Sequence, residues 1–290
     1  MSRLFNLLAA APLLAAPGAA NAQDAPTDKS AYTLFDPAPP DKLRPFSPDR
    51  PTRNTSPYTV DAGHLQIETD IAAYTHSTAA GTTTRLWQTA DPVAKLGLTN
   101  RWDIEVQFTG YNWLSVSPRG NQAGLASARG VGDLVLRSKI NLFGNDAPPD
   151  ANKPAFALIP YVKFPTAAGN IGNGHTEGGV VAPLAIPLPG NLVLTLAPEL
   201  DVLKNQTDAG HHLNVTGVID LGYALTKNVT VYAELYAARG ADKRTPPVYT
   251  FDTALAWMVT ETLQLDVGAN IGLNRNAPNL QIYTGIGQRF

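Results

Sequence analysis

The stretch RWDIEVQFTG, Arg101 to Gly110, alternates without a slip. Trp102, Ile104, Val106 and Phe108 fall on one side; Arg101, Asp103, Glu105, Gln107 and Thr109 fall on the other. Successive side chains of a strand point to opposite faces, so this is a two-faced strand whose apolar face must be buried. A protein core and a lipid bilayer are the two candidates for what covers it.

The same pattern recurs. Twelve candidate strands run over roughly 64–74, 85–97, 101–113, 131–143, 155–165, 177–187, 191–202, 211–223, 228–238, 247–259, 262–273 and 279–290. Each is close to the ~9–11 residues that a tilted strand needs to cross a bilayer core. The apolar parity holds Leu65, Ile67, Thr69, Ile71 and Ala73 in the first, and Leu192, Leu194, Leu196, Pro198, Leu200 and Val202 in the seventh. The second, with Pro92 inside it, is too mixed to assign to a face.

The opposite parity carries the charge. Glu68, Asp70, Arg101, Asp103, Glu105, Arg137, Lys139, Lys163, Glu199, Asp201, Asp220, Glu234, Asp252 and Asp266 are the candidates for lining a lumen, together with Asp133, Glu177 and Arg289. A soluble sandwich would alternate as well, with its polar face in water. Three features favour a membrane barrel. Connections alternate between short, such as LTN, PGN, LTKN and TE, and long and polar, such as SVSPRGNQAGLASARGV and TAAGNIGNGHT. Aromatic residues of the apolar parity gather at strand ends: Trp102, Phe156, Tyr223, Trp257 and Phe290 on the short-turn side, Phe164, Tyr249 and Phe251 on the long-loop side. That placement fits two interfacial girdles. The chain also stops on Phe290, the last residue of an alternating strand. This resembles the C-terminal signal of bacterial outer-membrane barrels, and the resemblance implies recognition by the barrel-assembly machinery. Gln288 departs from the apolar residue usual two places before the end. The reading is an all-β, antiparallel up-and-down transmembrane barrel of about twelve strands, and a secreted β-sandwich is the alternative.

The N-terminus agrees. MSRLFNLLAAAPLLAAPGAANAQD has Arg3 before a short apolar run and ends in a small-x-small site before Gln23, the pattern of a cleaved secretory signal over residues 1–22. Residues 23–60, rich in Pro, Asp, Arg and Ser, keep neither a helix nor a strand period. They form a leader, either a tether or a plug for the periplasmic mouth, and 61–290 is the barrel. The expected location is the bacterial outer membrane, with its lipid and a small solute as partners.

Other chemistries are weighed and set aside. No cysteine is present, which excludes thiolate catalysis and zinc–cysteine sites, and five scattered histidines make a poor metal set. The charge of −2 and the lack of a basic run give nucleic acid no purchase. A phospholipase-like barrel needs a nucleophile–histidine pair at one height on neighbouring strands, and His211 and Ser138 lie on strands that are not neighbours. No catalytic residue, cofactor or metal is expected. The pairs Glu68/Asp70, Asp103/Glu105 and Glu199/Asp201 read as lumen wall paired with Arg101, Arg137, Lys139 and Lys163. Acids outnumber bases on this parity, so the pore is expected to disfavour anions. Pro160, Pro183 and Pro198 break a rule by sitting inside three adjacent strands; local bulges are the plain account, and a weakened wall that lets solute leave sideways is the alternative.

The runs FSPDRPTRNTSPYTVDAGHLQIETD, GVGDLVLRSKINL and EGGVVAPLAIPLP resemble the outer-membrane proteins grouped as the meta-pathway of phenol degradation family, often labelled "transporter". The resemblance covers most of the chain after residue 45. It implies a β-barrel and a link to aromatic-compound metabolism, and it brings no catalytic residue. The function expected is passive passage of small hydrophobic or aromatic solutes. The competing class is a structural or ligand-binding barrel without transport.

Overall fold

In the computed structural model, residues 28–79, 81–120, 126–146, 153–205, 209–242 and 244–290 are described. The expected signal segment, 1–22, lies outside them. Twelve wall strands follow one another in chain order. They are β1 (Leu65–Ala79), β2 (Thr82–Thr89 and Val93–Thr99), β3 (Trp102–Phe108 and Tyr111–Pro118), β4 (Ala126–Val131 and Leu134–Phe143), β5 (Ala155–Phe164), β6 (Glu177–Val181 and Leu184–Leu188), β7 (Leu192–Lys204), β8 (His211–Ala224), β9 (Val229–Gly240), β10 (Val248–Thr260), β11 (Leu263–Gly272) and β12 (Leu280–Arg289). Each pairs antiparallel with its chain neighbours, and β12 returns to β1 from Gln66 opposite Arg289 to His76 opposite Leu280. Closure pairs the first and last strands and removes the open edge that lipid could not satisfy.

The alternation does what the sequence implies over most of this wall. In the lower half of β3, Asp103 and Glu105 are buried, while Trp102, Ile104, Val106 and Phe108 are exposed. In β8, Leu213, Val215, Ile219, Leu221 and Tyr223 are exposed, while Asn214, Thr216 and Asp220 are buried. The molecule is apolar outside and ionic inside, the reverse of a water-soluble domain. Among the described residues no helix is long and apolar enough to cross a membrane.

The outer halves of β1 to β4 differ from expectation. β1 runs on to Ala79, β3 to Pro118, and β4 starts at Ala126, so much of the stretch read as a long loop after β3 is strand. What hid them is a line of irregularities at one height. β1 has a bulge between Asp70 and Ala72. β2 breaks over residues 90–92, with Ala90 at φ 53°, a left-handed backbone that costs a residue with a Cβ. β3 breaks at Thr109–Gly110 and β4 at Gly132–Asp133, and β5 ends at Phe164, opposite Leu134. Each break flips the parity: Phe108 and Tyr111, three apart, both face outward at 48% exposure. Ala73, placed on the apolar face from sequence, is turned inward by the β1 bulge and is buried. Above this line, Ala126–Val131 of β4 pairs with β3 alone.

The prolines do not weaken the wall where it was expected. Pro160 stands in ladder register opposite Val180, and Pro198 opposite Gly217. β6 is interrupted at Ala182–Pro183, yet Ala182 N–H donates to Pro198 O at 2.9 Å and Ala157 N–H donates to Pro183 O at 3.1 Å. Both seams of β6 stay hydrogen-bonded across the interruption.

Candidate functional site

The lumen is occupied by the segment that precedes β1. It enters at the short-turn rim, where Leu34 N–H donates to Leu98 O at 2.8 Å and Ala38 N–H to Ala62 O at 3.0 Å. Proline denies this segment the donors of a regular strand, so its fixing falls to side chains. Arg44 is the first anchor. Its guanidinium donates to Thr59 O at 2.8 Å, to Asn100 O at 2.6 Å and to Asp146 Oδ1 at 3.1 Å. Arg289 of β12 donates to Arg44 O at 2.7 Å.

Asp49 is the second anchor and the centre of an ionic cluster. It accepts from Lys95 Nζ of β2 at 2.5 Å and from Lys139 Nζ of β4 at 2.8 Å. Lys95 also pairs with Glu68 at 2.5 Å, and Lys139 with Glu105 at 3.3 Å. Burial alone would raise the Asp49 carboxyl; Lys139 and Lys95 overcome it and hold the group below the usual carboxylate range. Arg50 forks over Gly285 of β12 to the two strands beside it, reaching Asp70 of β1 at 2.6 Å and both oxygens of Asp266 of β11 at 2.8 and 3.1 Å. A planar guanidinium held this way fixes orientation as well as charge. Arg53 pairs with Asp252 at 3.1 Å and lies 4.5 Å from the Tyr236 ring.

Three inward carboxylates bind the leader's backbone, Glu68 while it also pairs with Lys95. Glu68 Oε2 accepts from the N–H groups of Asp49 and Arg50 at 2.9 and 3.1 Å. Glu234 accepts from those of Arg53 and Asn54 at 3.2 and 3.0 Å. Asp103 does the same for Val60 at 2.8 Å. Consecutive N–H groups without a ladder partner make a natural anion seat.

The structure places the other charged residues as follows. Lys163 bridges Asp133 and Glu177 at 3.1 and 2.9 Å. Asp201 accepts from Tyr161 at 2.7 Å and from Asn214 at 3.0 Å. Asp220 is buried beside Glu234 in the β8–β9 ladder. Glu199 and Arg137 face one cavity, and Arg137 makes no ion pair among the described residues. Arg101 sits exposed in the turn between β2 and β3, away from the inward carboxylates. The leader arginines, which sequence reasoning did not pair with these acids, supply much of the countercharge. No period marks them, and their only signal was an Arg-rich leader ahead of an acid-rich lumen.

The leader leaves space on either side. A cavity of about 260 Å³ lies between it and β6–β9, lined by Pro48, Tyr58, Val193, Thr195, Asp220 and Tyr232 among others. A second, of about 140 Å³, touches Asp91, Val93, Gln107 and Arg137. A third, of about 250 Å³, lies toward the long-loop side among Arg53, Arg137, Tyr161, Glu177 and Glu199. Arg53 and Arg137 border both of the latter.

A family model described as "Putative MetA-pathway of phenol degradation" matches residues 48–290, which takes in the lumen-bound part of the leader as well as the wall. The chain belongs to that family. No curated protein matches it. Among solved structures, an outer membrane channel from Pseudomonas putida F1 is similar at TM-score 0.60 and 17% identity, over 78% of this chain and 95% of that one. The β domain of the Bordetella autotransporter BrkA is similar at TM-score 0.50 and 12% identity, over 78% of this chain and 99% of that one. At such identities these likenesses establish the fold: the family member described here is a barrel of the outer-membrane type.

Proposed function

We propose that the protein is an outer-membrane channel for passive passage of small hydrophobic or aromatic solutes. The observation that carries this reading is the set of cavities flanking the leader inside a closed wall, about 260, 140 and 250 Å³. A cavity near 150 Å³ accepts a benzene ring, so spaces of this size suit single-ring solutes and exclude oligosaccharides. The family's tie to phenol degradation and the channel named in Pseudomonas putida support it. The inward charges act as the wet lining of this path.

In this reading residues 1–22 are removed on export, and Phe290 presents the barrel to the assembly machinery. The lumen-bound leader acts as a plug that narrows the path. No catalytic role is assigned to any residue. The test is solute entry into proteoliposomes of the full chain. Phenol and toluene entering faster than into protein-free vesicles, with a disaccharide excluded, is the expected result. Entry no faster than the lipid leak would overturn transport and leave a structural or ligand-binding barrel.

A further inference from the structure

The outward face of the wall is segregated by charge as well as by polarity. Among the described residues no Asp or Glu faces outward on any strand. The basic groups that do, His76, Arg85, Arg129, Lys204, His211 and Arg239, all stand in the halves toward the long loops. Their side follows from the ladder. His76 pairs with Leu280 and Tyr74 with Ile282, both outward-facing residues of β12.

Three of these groups form one patch. Across β1, β2, β3 and β4 one row reads His76, Arg85, Ser115, Ser127. The row beneath it reads Tyr74, Trp87, Trp113, Arg129. Arg129 lies 4.9 Å from the Trp113 ring, and the rings of Tyr74 and Trp87 are 4.6 Å apart. Trp87 and Trp113 are each 52% exposed. Strand spacing sets Arg85 and Arg129 about 12 Å apart, since they are two strands and one row away from each other. Neither has an ion-pair partner among the described residues.

We infer that this patch binds the phosphorylated disaccharide headgroup of lipopolysaccharide. Indole and phenol rings settle at the level where acyl chains meet headgroups. Guanidinium groups at that level (Arg129) and one row above it (Arg85) meet phosphate with a matching fork of donors. The cation–π contact holds Arg129 in place before the lipid arrives, which lowers the ordering cost of binding. Two arginines about 12 Å apart suit two phosphates carried at the ends of a disaccharide better than one isolated anion. The absence of outward carboxylates removes the repulsion that would oppose an anionic leaflet. The inference rests on outer-membrane residence and is independent of transport.

The test uses the full chain in detergent micelles, with intrinsic tryptophan fluorescence read against added lipid. The probes are bisphosphorylated lipid A, the same lipid with both phosphates removed, and inorganic phosphate. The wild type is expected to bind the bisphosphorylated lipid at least tenfold more tightly than the dephosphorylated one. The double variant Arg85→Gln/Arg129→Gln, checked for its folded unboiled gel band, is expected to lose that preference. The variant Arg239→Gln, outside the patch, is expected to keep it. Equal binding of the two lipids by the wild type overturns the inference whatever the variants do. So does a preference that survives the double substitution, and so does displacement of lipid A by millimolar inorganic phosphate, which would mark a simple anion site.

Discussion

β7 to β12 and β1 to β4 are two ways of building the same wall. In β7–β9 the ladders run without a shift, from Lys204 opposite His211 down to Ala224 opposite Thr230, and every side chain keeps the face its parity gives it. In β1–β4 a bulge and three breaks fall at one height, and each exchanges the inward and outward sets. The regular half makes its contacts with the leader mainly through carboxylates: Asp266 and Asp252 hold the Arg50 and Arg53 side chains, and Glu234 the backbone of Arg53 and Asn54. The broken half holds it through a mixed cluster, Lys95 and Lys139 around Asp49 beside Glu68 and Glu105. The irregular wall thus carries the densest ionic anchoring. Strand order and leader attachment are coupled there in a way they are not across the lumen.

The largest effect is expected at that cluster. Asp49→Ala leaves Lys95 and Lys139 each short of a partner, and breaking a buried pair costs about 3–5 kcal/mol. The temperature at which the compact, unboiled gel band converts to the unfolded one should fall by several degrees. An unchanged conversion temperature would mean that the leader is not part of the folded unit.

Next come the glycines that separate the two halves. A Cβ at Gly110 would run into the backbone carbonyls of Ala90 and Thr89 at the break, whereas one at Gly217 on β8 meets nothing within 4 Å. Gly110→Ala should cost about 1–3 kcal/mol, as overpacking does. Gly217→Ala should be neutral or slightly stabilising, because it restricts the unfolded chain. Equal effects in the same gel assay would dissolve the distinction between the two walls.

A pH series sharpens the role of Asp49. Its carboxyl is held below the ordinary value of 3.8, so its contribution is complete above that value and is lost as pH falls through the folded one. The stability difference between wild type and Asp49→Asn should therefore stay constant from neutral pH down to about 4 and shrink below it. A difference that already fades between pH 7 and 5 would mean that the lysines do not govern this group. The smallest effect belongs to Arg101→Ala in the exposed turn, within about 0.5 kcal/mol by the same measurement.

These contrasts also explain what the sequence could reveal. The twelve-strand count, the order of strands and the two faces of β7–β12 follow from alternation that runs on through these strands, the one register shift there falling at the end of β10 between Met258 and Thr260. The outer halves of β1–β4 were hidden because Ala90, Gly110 and Gly132 reset the parity, so one period cannot be followed through them. Trp87 and Trp113 fell outside the aromatic girdles for the same reason. The inward carboxylates stand out by parity, but their partners do not. Arg44, Arg50 and Arg53 lie in an aperiodic stretch, and only the closed barrel brings Arg50 to Asp266 across 216 positions. The prolines misled because the carbonyls around them still accept: Pro198 O and Pro183 O each take a neighbour's N–H, so the seams hold although the proline itself donates nothing.

The most direct test of the account is single-channel conductance in planar bilayers, comparing the wild type with Arg50→Ala/Arg53→Ala. These substitutions release the leader from Asp70, Asp266 and Asp252 without altering a wall residue. A small conductance in the wild type that rises severalfold in the variant is the predicted result, because the leader and not the wall limits the path. Equal conductance in the two proteins, with the variant's unboiled gel band intact, would contradict it.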